Sequence, residues 1–549
     1  MGRGRSPVEA GGTASGSRAH YRPARAVPMP LPLPEYDDLD ALALAGLVRA
    51  GEVTPAELGE AALARIEARN PELNAFPHVE PAGAVRAAAE RAADGPLHGV
   101  PYPVKDLMHA VAGMPMRAGS RSMRGVIPPA DAFLVERLRE AGVVIVGKTA
   151  TPEFGLMGVT EPEASGPTRN PWALDRTPGG SSGGAGAAVA ARIVPAADAS
   201  DGGGSIRIPA SFGGLFGLKP SRGRVTEGPD IGEGWHGAAA SLAVTRTVRD
   251  TAALLDALAG PAPGDPVALP RPATPFLDEV GRDAGRLRIG YTTRSPLGTP
   301  VDPECERAAR DAATLLDGLG HHVEEAEPDL DGRSIATGYL TMYFGQVAAS
   351  LRGLEATLGS GAARETELTT RFLGSIGEGL SAGRYVELLN DWNTLGRAVG
   401  RFHETYDLYL TPTVAALAPL VGSQTPTAAE RALMRTAIAT RAGGVLLRSG
   451  FVEQLVDERL AATPFTQLAN LAGLPAMSVP LHWTGPRPGA PDGLPVGVQF
   501  VGRPASEALL LRLAAQLEAE RPWAHRRPGW ITAAGGSTPE GASGSQRRD

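Results

Sequence analysis

The stretch DGGGSIR, Asp201–Arg207, places a serine directly behind three consecutive glycines. Glycine gains the most backbone freedom on unfolding, so such a run should loosen the chain. Its flanks argue the opposite: Ala196 and Ala197 precede it, and Ile206, Ile208 and Pro209 follow it, as in a protein core. Upstream, a second run, GGSSGG, occupies residues 179–184. Read alone it is a flexible linker. A linker is not followed by a segment like Ala185–Val194, which is apolar and helix-compatible. The two runs therefore read as loop, helix, loop, converging on one point. Glycine lets backbone N–H groups approach a ligand with no side chain between. A row of such groups ahead of a serine is what an oxyanion hole requires.

Around these loops lie 549 residues with a formal net charge of −7, which gives no footing for a nucleic-acid partner. The single cysteine, Cys305, excludes an internal disulfide and a thiolate metal cluster. No apolar run approaches the roughly 18 residues of a membrane span. The first 30 residues are basic and Gly/Pro-rich, without the apolar core of a signal peptide. They read as a disordered tail, as do residues 533–549. These features place the expected protein in the cytoplasm.

Between the tails, helical patterns alternate with short apolar runs. Thr54, Pro55 and Glu57 form a capping box that opens a helix, with Leu58, Ala62 and Ile66 on one face. DAFLVERLREAGVVIVGKT predicts a helix ending at Gly142 and a buried strand Val143–Val146. RDTAALLDALAG and CERAARDAATLLDGLG predict further amphipathic helices, and RLRIGYT a strand. This order predicts an α/β domain over residues 31–532: a mixed or mostly parallel sheet covered by helices on both faces, with a helical elaboration around residues 330–460.

GVVIVGKT, residues 142–149, fits the phosphate-loop pattern of nucleotide hydrolases and opens a nucleotide-binding reading. Its interior is Val, Val, Ile, Val, stiff and strand-forming. Gly142 fits the residue after a helix end, and Pro152 prevents a helix from starting at Lys148–Thr149. A strand is the better reading.

A serine nucleophile needs a base. None of the ten histidines has a recognisable nucleophile or metal spacing, and His321–His322 reads as a strand end. Lys105, in GVPYPVKDLM, ends an apolar stretch; an arbitrary lysine there would simply reach for solvent. Taken together, VKDL, GGSSGG and DGGGSIRIPA resemble the marks of the amidase signature family of serine hydrolases. GKTATPEFG, TRNPWALDRTPGGSSGG, GLFGLKPSRGRV and PFTQLANLAGLPAMSVP resemble it too, over residues of about 35 to 525. The resemblance implies a central mixed sheet flanked by helices. It implies Ser205 as acyl-forming nucleophile, Ser181 as bridging serine behind a cis peptide bond from Gly180, and Lys105 as base. Gly202, Gly203 and Gly204, with Ser205, would supply the oxyanion-hole N–H groups; Ser182, Asp201 and Arg207 would hold the loops.

The lysine mechanism is physically feasible. At its reference pKa, neutral lysine near pH 7 costs about 4.6 kcal/mol. Burial can lower a lysine pKa by about 3–5 units. The implied reaction is hydrolysis of small or cyclic carboxamides, with water as co-substrate and with no cofactor, metal, nucleic acid or membrane; a homodimer stays open. Within the family, TEPEASGPTRNPW and DPECERAARDAATLLDGLGHHV resemble the bacterial branch that includes 6-aminohexanoate cyclic dimer hydrolase. The amidase subunit of a tRNA-dependent amidotransferase is the alternative within the family.

Overall fold

Eight strands form the central sheet of the computed structural model, which describes residues 31–533. The predicted tails lie outside the described residues, apart from Ala533, the last residue of the helix Gly529–Ala533. In spatial order the strands are Ala196–Asp201, Ala240–Thr245, Phe216–Lys219, Ala476–Trp483, Pro495–Val501, Leu408–Pro412, Arg288–Tyr291 and His322–Glu325. The sheet is mixed, as expected, but mostly antiparallel. Only Arg288–Tyr291 pairs in parallel, with His322–Glu325 and Leu408–Pro412. Alternation of helix and strand sets strand direction only where the joined strands are neighbours. Here Phe216–Lys219 with Ala240–Thr245, and Ala476–Trp483 with Pro495–Val501, are consecutive strands joined without a helix and so pair antiparallel, while the central neighbours Phe216–Lys219 and Ala476–Trp483 come from distant parts of the chain.

Helices cover both faces of this sheet. Among them are the predicted Val248–Leu258 and Pro303–Gly318. Pro55–Leu73 starts with the expected reciprocal cap between Thr54 and Glu57, and its Leu58, Ala62 and Ile66 are buried. Phe133–Glu140 ends two residues before Gly142, whose φ of 92° is readily adopted by glycine.

The predicted strand Val143–Val146 instead runs Val144–Thr149 and is buried throughout. It sits in a three-stranded sheet, antiparallel to His78–Val79 and parallel to Pro101–Lys105. The phosphate-loop run is thus strand, and Lys148 is fully buried, donating to the His109 carbonyl at 2.8 Å. This run supports the strand that ends at Lys105, where Lys105 and Thr149 are register partners.

The helical elaboration is also present. Gly332–Leu358, Leu368–Gly377, Ala382–Thr405 and Ala428–Ala439 share a second apolar core, separate from the one under the main sheet. A cavity of about 460 Å³ lies between the two cores, with Ser205 on one side and Tyr339, Phe372 and Met434 on the other.

Candidate active site

The Lys105 ammonium is sealed from water at the end of its strand. It contacts three serine hydroxyls: Ser181 at 2.8 Å, Ser182 at 2.9 Å and Ser200 at 3.0 Å. Ser182 donates its proton to the Ser200 carbonyl at 3.2 Å, so toward Lys105 it can only accept. An arrangement in which Ser182 and Ser200 accept the two protons of neutral lysine leaves its lone pair for the Ser181 O–H. Burial lowers the Lys105 pKa to about 7, against the opposing pull of the Asp198 and Asp201 charges. A neutral base near pH 7 is therefore available without histidine.

The bond Gly180–Ser181 is cis. The helix Gly183–Ala190 follows, then the strand Ala196–Asp201, so the path is loop, helix, strand, loop. Both loops reach the same cavity, which Ser181, Ser200, Gly202, Gly203 and Ser205 border together. The Lys105–Ser181 contact is closed. The Ser205 hydroxyl has no hydrogen-bond partner among the described residues, so the Ser181–Ser205 contact is not closed by a hydrogen bond.

Asp201 and Arg207 form a buried two-pronged ion pair, Nε to Oδ2 and a terminal nitrogen to Oδ1, both at 2.9 Å. Burial alone would raise the Asp201 pKa; the Arg207 charge, with hydrogen bonds from Arg207 and Asn470, holds it well below the usual carboxylate range. Asn470 donates to the Asp201 carboxylate and to the Asp201 and Ala238 carbonyls, each at 2.9 Å. Arg207 also donates to Gln499 at 2.6 Å and to the Thr466 carbonyl at 2.9 Å.

This clamp corrects one expectation. The Gly204 N–H donates to Asp201 Oδ1 at 2.6 Å and is not free for an oxyanion. The N–H groups of Gly202, Gly203 and Ser205 carry no hydrogen bond among the described residues. The glycines also have steric reasons. Gly204 has a φ of 128°, a conformation that side chains rarely adopt, and a Cβ on Gly203 would overlap the Tyr339 hydroxyl.

Behind Lys105 lies a buried network that the sequence reading did not contain. Asp198 Oδ2 accepts the Lys105 backbone N–H at 3.0 Å and contacts His109 Nδ1 at 2.7 Å. His109 Nε2 contacts Ser241 Oγ at 2.9 Å, and Ser241 donates to Glu227 at 3.0 Å. Burial raises the Glu227 pKa to about 7, against the pull of His109 and the Ser241 bond. The sequence reading also missed Thr466, Asn470 and Gln499. A signal existed for two of them: Asn470 sits in the apolar helix QLANL, and Gln499 in the otherwise apolar strand PVGVQFV. A polar side chain at a wholly buried position requires a partner.

The cavity walls are mostly apolar. Trp235 and Tyr343 meet edge to face at 5.5 Å, with Tyr339 6.3 Å from Tyr343. Leu107, Ile208, Phe212 and Phe372 extend this lining. No helix among the described residues is long and apolar enough to cross a membrane.

A serine–lysine cluster thus lies at the base of an apolar cavity in a mixed α/β fold. The family model described as Amidase matches residues 57–511. The chain belongs to the amidase signature family and is an amidase, a hydrolase of carboxamide C–N bonds. The 6-aminohexanoate-cyclic-dimer hydrolase of Pseudomonas sp. (strain NK87) is 39% identical over 497 residues, covering 89% of this chain and 96% of that one. The solved structure of 6-aminohexanoate cyclic dimer hydrolase superposes with a TM-score of 0.79 at 36% identity, covering 90% of this chain and 99% of that chain. A bacterial aryl acylamidase of the amidase signature family follows with a TM-score of 0.77 at 25% identity, covering 91% and 99%.

Proposed function

We propose that this amidase works through an acyl-enzyme on Ser205 and acts on small carboxamides, cyclic ones included. Neutral Lys105 takes the proton of Ser181 as Ser181 takes that of Ser205. Ser205 Oγ then bonds to the amide carbon, and the oxygen that gains charge is received by the N–H groups of Gly202, Gly203 and Ser205. Loss of one such donor costs about 3–4 kcal/mol of barrier. When the C–N bond breaks, the leaving nitrogen takes the proton back from Lys105 through Ser181. Water repeats the sequence in reverse roles and frees the acid.

The contact that carries this reading is Lys105 Nζ to Ser181 Oγ, 2.8 Å, in a dry site opening on the cavity that Ser205 borders. The apolar walls favour the hydrocarbon part of an amide. The substrate class rests on the relatives named for a cyclic amide and an aryl amide. A cytoplasmic setting fits Cys305, a free buried thiol.

The test is kcat/KM across acetamide, benzamide, the cyclic 6-aminohexanoate dimer and a long-chain fatty amide, with mass mapping of the trapped acyl group. Acylation of Ser205 and measurable cleavage of the short or cyclic amides support the proposal. Acylation elsewhere overturns the mechanism. A fatty amide preferred by more than about tenfold overturns the substrate class. Lys105→Ala with matched circular dichroism completes the test: an unchanged pH profile means another group is the base.

A further inference from the structure

A second concavity, of about 330 Å³, lies beside the substrate cavity and has the opposite chemistry. Three stretches that are separate in sequence bring six arginines to it: Arg121 and Arg124, Arg364 and Arg371, and Arg431 and Arg435. Only two carboxylates, Glu163 and Glu365, share the lining. This excess of positive charge stands on a chain whose formal net charge is −7.

Five of the six arginines have no ion-pair partner among the described residues. Arg121 pairs with Glu163 at 3.1 Å. The side chains of the other five make no hydrogen bond or ion pair among the described residues, and the Nε of Arg371 is buried without a partner. Arg431 and Arg435 are four apart on the helix Ala428–Ala439, where like charges repel. Arg121, Arg124, Arg364 and Arg435 are exposed and Arg371 and Arg431 half-buried, so water screens part of their mutual repulsion, and an anion joining them would remove the rest. Guanidinium groups meet phosphate and carboxylate oxygens two at a time in a planar fork, which makes arginine the residue suited to such ligands.

We propose that this concavity is a binding site for a small multivalent oxyanion, a phosphate ester or a polycarboxylate, distinct from the amide site. A volume near 330 Å³ exceeds what a lone inorganic ion needs and falls at the low end for small-ligand pockets, about 300–1,000 Å³. The site stands back to back with the amide cavity. The helix Leu368–Gly377 turns Arg371 toward it and Phe372 toward the amide cavity; Ala428–Ala439 divides Arg431 and Met434 in the same way. An anion held here bridges two helices that wall the substrate cavity without touching Ser205.

The experiment is titration calorimetry of the full chain at low salt with three probes: inorganic phosphate, glycerol phosphate and citrate. One-site binding tighter than about 1 mM by at least one probe is expected. Preference for glycerol phosphate assigns a phosphate ester, and preference for citrate a polycarboxylate. The double substitution Arg371→Gln with Arg431→Gln should weaken binding by about tenfold or more while amide hydrolysis without anion persists. Arg435→Gln, on an exposed side chain, should weaken it several-fold and guards against misfolding of the double variant. Binding weaker than about 10 mM by all three probes overturns the site. So does binding unchanged in the variants, or retention on heparin with no affinity for small anions.

Discussion

At the cavity floor the Asp201 carboxylate accepts five hydrogen bonds, from the Gly204 and Ile206 N–H groups, twice from Arg207, and from Asn470. In the cover above it, Trp235, Tyr339 and Tyr343 are held by ring contacts, with a bond from the Tyr343 hydroxyl to the Leu156 carbonyl. The floor uses directional bonds in a dry site, which hold the Asp201 clamp and the loop around it in one position. The cover uses area and shape, which several side chains can supply. Catalysis requires the first, because a nucleophile and its base act only within hydrogen-bond reach. Substrate choice requires only the second. Substitutions on the floor should therefore remove activity, and substitutions in the cover should redirect it.

The largest expected effect is at the floor. Ser205→Ala should lower kcat by roughly 10⁴-fold or more, as removal of a nucleophile does elsewhere, with unchanged circular dichroism. Substantial activity in that variant would break the comparison at its centre. Next is Arg207→Met, which leaves the buried Asp201 carboxylate without its cation. It should cost about 3–5 kcal/mol of stability, read by denaturant unfolding.

The cover should answer differently. Trp235→Ala removes a ring that stands over Gly202, with ring carbons 3.1 Å from where a Cβ would sit there. It should raise KM for an aryl amide about tenfold, a loss near 1.4 kcal/mol, and leave fluorophosphonate labelling of Ser205 near the wild-type rate. A collapse of labelling in that variant would show that the cover also positions the nucleophile.

The smallest effect sharpens the floor itself. Lys105 accepts a proton only when neutral, and burial lowers its pKa to about 7, so kcat/KM should rise with pH through about 7 and then level. The Asp198 charge opposes that lowering. Asp198→Asn should move the rising limb to lower pH by up to about one unit, with kcat at the plateau changed only a few-fold. An unmoved limb would mean that the charge behind Lys105 does not act on the base.

How legible the molecule is from its sequence follows the same division. Ser205, Ser181, Lys105, Asp201 and Arg207 sit in short runs whose composition is unusual for a core, so the runs stand out. The capping box at Thr54 and the helix end at Gly142 rest on local chemistry and are found where expected. Thr466, Asn470 and Gln499 reach the same clamp from more than 250 residues away along the chain, and local pattern does not carry such contacts. His109 and Asp198 carry no local sign of a partnership, and folding places them 2.7 Å apart.

The sequence by itself singled out the serine behind a glycine run, and its resemblance to the amidase signature family, carried by short runs of about ten residues, pointed to Lys105 and Ser181 as that serine's partners. It also pointed to a strand inside GVVIVGKT rather than a phosphate loop, because four stiff β-formers do not wrap a phosphate, and the strand found is Val144–Thr149. Only the tertiary structure decided the strand directions, the loss of the Gly204 N–H to Asp201, and the meeting of six arginines. Each of these depends on which distant segments become neighbours, and that choice is made by burial of the whole chain's apolar surface rather than by any one stretch of it.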